Sequence, residues 1–278
     1  MKRLACFSTL FLLGLLLTGT ATAQQASAPP EGAQAPPAQN PSTMTPRQLA
    51  EMKADILVAR KEYKDAVNAY AEILKGEPKN AVLLNKLGVA CQQLDDLRCA
   101  ERYYKRATAA DKTFATPVNN LGTIEYQKVH YGKAIRYYRR TLAIKTDPTM
   151  ILATVYSNLG YAYFGNKEYP EAMEAFSKAL ASDPGIFDRK GGAGTLIQQR
   201  TSTDPGLFYF MVAKTFAQAG EAERTAHYLK LSRDAGYKDL ATARKNPAFA
   251  KVIQDPRVQE VLQAQPEYLE GSKKPTSN

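Results

Sequence analysis

A small residue recurs along this chain at nearly constant spacing. Ala54, Gly88, Gly122 and Gly160 are separated by 34, 34 and 38 residues. An alanine follows each of them by twelve residues, and an aromatic residue follows that alanine by four. A period of this length indicates stacked supersecondary units in place of one closed core. The alanines are Ala66, Ala100, Ala134 and Ala172, and the aromatic residues are Tyr70, Tyr104, Tyr138 and Phe176.

The spacing predicts a helix-turn-helix hairpin in each unit. Glycine inside a helix costs roughly 0.5–1 kcal/mol relative to alanine, so a close contact has to offset that cost. We expect the alanine of the second helix to approach the small residue, and the aromatic ring to fill the wedge toward the next unit. Prolines end three of the second helices, at Pro78, Pro148 and Pro184.

Residues 46–184 resemble four tetratricopeptide repeats. The fourth unit, "YSNLGYAYFGNKEYPEAMEAFSKALASDP", matches the family pattern best, and the tryptophan often found early in the first helix is absent from all four. The resemblance implies an all-α, right-handed α-solenoid. It also implies a non-catalytic module or scaffold that binds a protein or peptide partner.

The family resemblance also predicts where that partner binds, because the first helices of such repeats line a groove. Amides there can pair with a peptide backbone, and tyrosines add rigid contact area; a merely solvated polar face is the alternative. Lysine and asparagine of the family's carboxylate clamp are replaced by Glu51 and Asp55, so an acidic tail is not the expected ligand. The predicted groove residues are Asn85, Val89, Gln92, Asn119, Asn120, Thr123, Tyr126, Gln127, Ser157, Asn158, Tyr161 and Phe164.

The first 45 residues have the composition of a signal peptide followed by a linker. Residues 1–23 combine Lys2 and Arg3, an apolar run and small residues before Gln24, which predicts a secretory signal peptide cut after Ala23. A retained anchor is the alternative, although the apolar run is shorter than a spanning helix needs. Residues 24–45 are rich in Pro, Ala and Gln and predict a disordered linker. We therefore expect a periplasmic or secreted protein.

The C-terminal third is less regular. Residues 185–205 predict a Gly-rich basic loop, residues 206–265 a degenerate fifth repeat with capping helices, and residues 266–278 a flexible tail. The segment "GGAGT" at 191–195 lacks the lysine and the preceding strand of a phosphate-binding loop.

Two cysteines remain after signal removal, Cys91 and Cys99. They lie symmetrically about the turn of the second unit, and an even count in an oxidising compartment favours a disulfide. Two buried free thiols are the alternative, while a zinc site would need ligands that the nearby sequence lacks.

No catalytic, cofactor or metal motif occurs around the two histidines, His130 and His227. The net charge of +10 leaves a second reading, a basic protein that binds anionic lipid or glycan. A third reading is an enzyme with its site in the 185–206 loop. An exported chain is not expected to meet nucleic acid, and the sequence leaves the oligomeric state open.

Overall fold

A computed structural model of the chain describes residues 44–144, 152–187 and 204–264. The expectations for the signal peptide, the linker up to residue 43, most of the Gly-rich loop and the C-terminal tail lie outside the described residues. Within those ranges the regular elements are all helical, as predicted. The first eight helices are α1 Pro46–Ala59, α2 Tyr63–Gly76, α3 Ala81–Gln93, α4 Leu97–Ala110, α5 Ala115–Gln127, α6 Tyr131–Ala143, α7 Leu152–Gly165 and α8 Tyr169–Ser182.

These eight helices form four consecutive hairpins. Each odd-numbered helix packs against the helix that follows it, and each second helix then packs against the first helix of the next hairpin. This arrangement confirms the predicted stack of hairpins. A further hairpin follows, and its second helix packs against the last described helix. Its elements are α9 Pro205–Ala219, α10 Ala222–Asp234, 3₁₀ turns at Leu240–Lys245 and Pro247–Phe249, and α11 Pro256–Gln263.

Side-chain caps fix several helix starts. Thr45 accepts a hydrogen bond from the Gln48 backbone N–H, and the Gln48 side chain accepts one in return from the Thr45 backbone. Asn80 and Asp96 cap α3 and α4 through one side-chain oxygen each, which accepts from the backbone N–H of Leu83 and of Cys99 respectively. Each cap satisfies a backbone donor that the first turn leaves unpaired.

The turn inside each of the four hairpins places one residue in the left-handed conformation. Lys61, Asp95, Val129 and Lys167 have φ between 60° and 63°, and Gly220 takes this conformation in the fifth hairpin. A β-branched side chain is strained at such a φ. Val129 is therefore the position where the sequence fits the repeated turn least well.

The glycines make room for an aromatic ring, which differs from the contact expected from sequence. A Cβ added at Gly88 or Gly122 would lie 2.6 Å from the ring of Tyr104 or Tyr138 respectively. The side chain nearest each glycine is thus the aromatic residue sixteen positions later in the same unit, where an alanine had been expected. Because glycine has no side chain, the ring can lie directly on the helix backbone. Both tyrosines are fully buried as a result.

Candidate protein-binding face

The predicted groove residues divide into two groups in the structure. We call the face that they form on α3, α5 and α7 the first-helix face. Seven of its twelve predicted members are buried, and five are half-exposed. The buried residues are Asn119, Thr123, Tyr126, Ser157, Asn158, Tyr161 and Phe164. The half-exposed residues are Asn85, Val89, Gln92, Asn120 and Gln127.

Amides of neighbouring first helices bond to one another across this face. Asn120 Nδ2 donates to Asn85 Oδ1 at 3.1 Å, which joins α5 to α3. Gln92 Nε2 donates to Gln127 Oε1 at 3.3 Å. This second bond joins the same two helices, about two turns further along each. Each contact spans one repeat plus one residue in sequence, since the partners are 35 positions apart. The amides therefore fix the register between repeats.

The asparagine pairs connect into one directional chain. Asn158 Nδ2 donates to Asn119 Oδ1 at 3.2 Å, and Asn119 Nδ2 is 3.4 Å from Asn120 Oδ1. Asn158 is completely buried, and its Oδ1 has no hydrogen-bond partner among the residues that the structure describes. A buried acceptor without a partner is unfavourable, so Asn158 serves the packing of α7 on α5 at some cost in stability.

A charged cluster occupies the end of this face next to α1. Lys86 Nζ lies 2.8 Å from Glu51 Oε1 and 2.8 Å from Asp55 Oδ2. Tyr70 donates its hydroxyl to the other oxygen of Asp55 at 2.5 Å. Burial opposes the charge on Lys86, but the hydrogen bonds to Asp55 and Glu51 outweigh it and raise the pKa of this lysine. Arg47 also pairs with Glu51 at 3.2 Å, so both carboxylates at the clamp positions are already engaged in ion pairs within the protein.

Aromatic residues predicted to contact a partner pack instead against the fifth hairpin. The ring of Tyr161 stacks on Phe208 of α9 with centroids 5.4 Å apart. Phe164 meets the same Phe208 ring edge-on at 5.4 Å. Burial also raises the pKa of the Tyr161 hydroxyl above its usual range. The sequence analysis did not single out Phe208. The run of three aromatic residues, Phe208 to Phe210, near the start of α9 was the signal that could have identified it.

The predicted disulfide between Cys91 and Cys99 is present in the structure. Their Cα atoms are 5.7 Å apart, a separation that a disulfide spans without backbone movement. Cys91 is buried in the core of the second hairpin. The bond therefore joins α3 to α4 beside the turn.

Ion pairs link α4, α5 and α6 away from the first-helix face. Glu101 lies 2.6 Å from Lys105 Nζ and 2.5 Å from Lys128 Nζ. These two lysines, Lys105 first, lower the pKa of the Glu101 carboxyl. His130 Nδ1 is 3.0 Å from Glu125, so this histidine has a structural contact. No group of three potential metal ligands occurs within the described ranges.

The folded part is a stack of helical hairpins, and two stretches of it match a known repeat family. Residues 51–113 and residues 153–185 match two family models, each described as a tetratricopeptide repeat. These two stretches of the chain are tetratricopeptide repeats. Among the described residues no helix is long and apolar enough to cross a membrane.

Two curated proteins resemble about half of the chain. Human "Tetratricopeptide repeat protein 6" is 30% identical over 128 residues, which are 46% of this chain and 24% of that protein. "Anaphase-promoting complex subunit 6" of Arabidopsis thaliana is 26% identical over 152 residues, or 54% and 25% of the two chains. The chain thus spans about a quarter of the length of these curated relatives.

Solved structures support the same fold. PilF of Pseudomonas aeruginosa superposes with a TM-score of 0.50 at 19% identity, over 78% of this chain and 86% of that one. At this identity the likeness establishes the fold alone.

Proposed function

We propose that this protein is a non-catalytic scaffold that binds a segment of a partner protein on the first-helix face. Tetratricopeptide repeat proteins are generally interaction modules, which supports the class of function. The half-exposed part of the face, on α3 and α5, is the part that a partner can reach. The buried part on α7 serves to hold the repeats together.

One observation carries this proposal: the amide network leaves donors facing solvent. Asn85 and Gln127 each accept a hydrogen bond from a neighbouring amide through their carbonyl oxygen. Their own NH₂ groups, Asn85 Nδ2 and Gln127 Nε2, have no hydrogen-bond partner in the described part of the chain. An amide offers two donors. Held in place by the bonds at their oxygens, these groups can donate to backbone carbonyls of a bound segment.

Val89 lies one turn after Asn85 on α3 and supplies an apolar contact. It is half-exposed and packs against the core formed by the first three hairpins. An apolar position one turn from a fixed donor suits an extended segment that presents alternating carbonyls and side chains. The partner that this face fits is thus a peptide segment, in contrast to a charged small molecule.

We further propose that the protein acts outside the cytoplasm, in the cell envelope. The Cys91–Cys99 disulfide supports this location, because such bonds persist in oxidising compartments and are rare in the cytosol. The signal-like sequence of residues 1–23 supports it independently.

Site-specific photocrosslinking in the native cell tests the binding face. A crosslinker placed at Val89 should form a discrete adduct with one partner, and a crosslinker at exposed Ala181 on α8 should not. The captured partner segment, made as a peptide, should bind the purified protein. Val89→Lys combined with Asn120→Ala should weaken that binding at least tenfold, since the apolar contact at Val89 is blocked and the Asn85 amide loses the bond that holds it.

Ala181→Lys is the matched control, because it adds the same charge to an exposed helical position elsewhere. All variants should keep the helical circular dichroism of the parent. Equal peptide binding by the groove variant and the control would refute the proposed face. Asn158 is left unchanged in this test, because a completely buried residue cannot report on surface binding.

A further inference from the structure

The second helices of the two central hairpins carry a dense set of cations. Positions repeat between α4 and α6, where "RYYKR" is followed 34 residues later by "RYYRR". All the basic side chains of these two helices are exposed. We call this surface the arginine strip, which consists of Arg98, Arg102, Lys105, Arg106, Lys133, Arg136, Arg139 and Arg140.

Within the described residues only the two lysines of the strip form ion pairs, Lys105 with Glu101 and Lys133 with Glu125. Helix α6 contains no Asp or Glu, and α4 contains only Glu101, which is engaged by Lys105 and Lys128. None of the strip's arginines forms an ion pair within the portion of the chain that the structure describes. The flanking second helices α2 and α8 differ, since both carry exposed carboxylates. The positive charge is therefore concentrated on the two central repeats.

Tyrosines hold the strip against the core. The Arg102 guanidinium lies 4.9 Å from the centroid of the Tyr103 ring, and that of Arg106 lies 5.3 Å from it. Tyr103 and its counterpart Tyr137 both pack against the same hydrophobic cluster. The two basic helices are therefore anchored on one part of the core. Tyrosines with one side packed on apolar residues and a solvated polar end are typical of membrane interfaces.

An exposed apolar side chain precedes each basic helix. Leu94 is 44% exposed just before α4, and Val129 is 60% exposed just before α6. Leu94 lines one surface depression together with Arg98 and Arg102. The depression also holds Asp95 and Asp96, and Asp96 accepts a hydrogen bond from the first turn of α4. The strip thus combines cations with apolar side chains that are partly exposed to solvent.

We propose that the arginine strip, with Leu94 and Val129, docks on the surface of an anionic phospholipid bilayer. Guanidinium groups attract the negative headgroups, and apolar side chains enter the boundary between headgroups and acyl chains. A nucleic acid or an acidic protein segment would use the charges but would gain little from two exposed aliphatic side chains. Binding of this kind is peripheral, and it leaves the first-helix face free for a partner.

Vesicle sedimentation with the full-length chain tests the proposal. The measured quantity is the partition coefficient on vesicles of phosphatidylglycerol and phosphatidylcholine at 1:1, relative to pure phosphatidylcholine. All variants share the same N-terminal residues, so any contribution from that segment cancels in the comparison. The parent should prefer the anionic vesicles strongly at 0.1 M NaCl and lose the preference at 1 M, where screening acts within about 3 Å.

The triple variant Arg102→Gln, Arg136→Gln and Arg140→Gln should reduce the preference roughly 100-fold, since each cation at such a surface contributes about fivefold. The control changes the same net charge at three exposed lysines elsewhere, Lys64→Gln, Lys230→Gln and Lys245→Gln. The control should stay within about threefold of the parent. Equal loss in both triple variants would show a general charge effect and overturn the proposal.

A second pair of substitutions separates the bilayer from a soluble polyanion. Leu94→Asn with Val129→Asn should weaken vesicle binding several-fold and leave binding to heparin unchanged, because heparin offers no apolar layer. If this double variant binds vesicles as the parent does, the strip is a polyanion site and the bilayer proposal is wrong.

Discussion

The contact between Gly122 and Tyr138 gives a prediction whose sign can be reversed by a second mutation. An alanine at 122 would place its Cβ 2.6 Å from one ring carbon of Tyr138 and 2.8 Å from another. Tyr138 is fully buried, and its hydroxyl is 3.2 Å from Thr123 Oγ1. The ring therefore cannot swing aside without breaking a packed contact.

Two opposing effects set the magnitude of Gly122→Ala. Overpacking a rigid core costs about 1–3 kcal/mol, and replacing a mid-helix glycine by alanine gains about 1 kcal/mol. The buried ring is held at both ends, so the overpacking cost falls in the upper part of its range. We expect a net loss of about 1–2 kcal/mol in the free energy of unfolding.

Urea unfolding followed by circular dichroism at 222 nm measures this loss. The same substitution in a Tyr138→Leu background should stabilise the protein by about 1 kcal/mol, because the ring is gone and only the helix-propensity gain remains. Gly132→Ala on α6 is the matched control. A Cβ there meets nothing within 4 Å, and the change should be neutral or mildly stabilising.

The reasoning fails if Gly122→Ala is neutral or stabilising in the parent protein. It also fails if the effect keeps its sign in the Tyr138→Leu background. Either result would mean that the glycine is not there to admit the ring.

Three further predictions concern the turns, the disulfide and the ion pairs. Val129→Asn should stabilise the protein by about 1 kcal/mol, because asparagine tolerates the left-handed conformation better than a β-branched residue; a lowered melting temperature would contradict this. Reducing the Cys91–Cys99 bond, which closes a short loop, should cost roughly 2–3 kcal/mol, and Cys99→Ala should abolish the response to reductant. Glu101→Gln should destabilise at pH 7, since the two lysines stabilise the ionised carboxyl and lower its pKa below the ordinary value of 4.5. Its penalty should shrink as the pH falls below 4.5, because the parent carboxyl then loses its charge too, and a penalty independent of pH would argue against the ion pairs.

Much of the fold was predictable from the sequence because repeats are local. A small residue, an alanine and an aromatic at fixed offsets identify each hairpin, and a hairpin depends on residues close in sequence. The Cys91–Cys99 bond was predictable for the same reason, since both residues flank one turn. The contact at each glycine was not, because offsets along two antiparallel helices do not reveal which side chain covers the backbone.

The candidate binding face was only partly predictable. Family positions identified which residues lie on the first helices, but the sequence could not show that Asn119 and Asn158 are buried and bonded to each other. It also gave no sign that Lys86 neutralises Glu51, because that contact joins residues 35 positions apart.

The sequence by itself determined the hairpins, their order and the bond between the two cysteines, since each depends on a repeating local pattern. Only the tertiary structure decided which polar groups of the first helices remain available to a partner. That outcome depends on how neighbouring repeats stack, because an amide that meets another amide across the interface is satisfied there and is withdrawn from solvent.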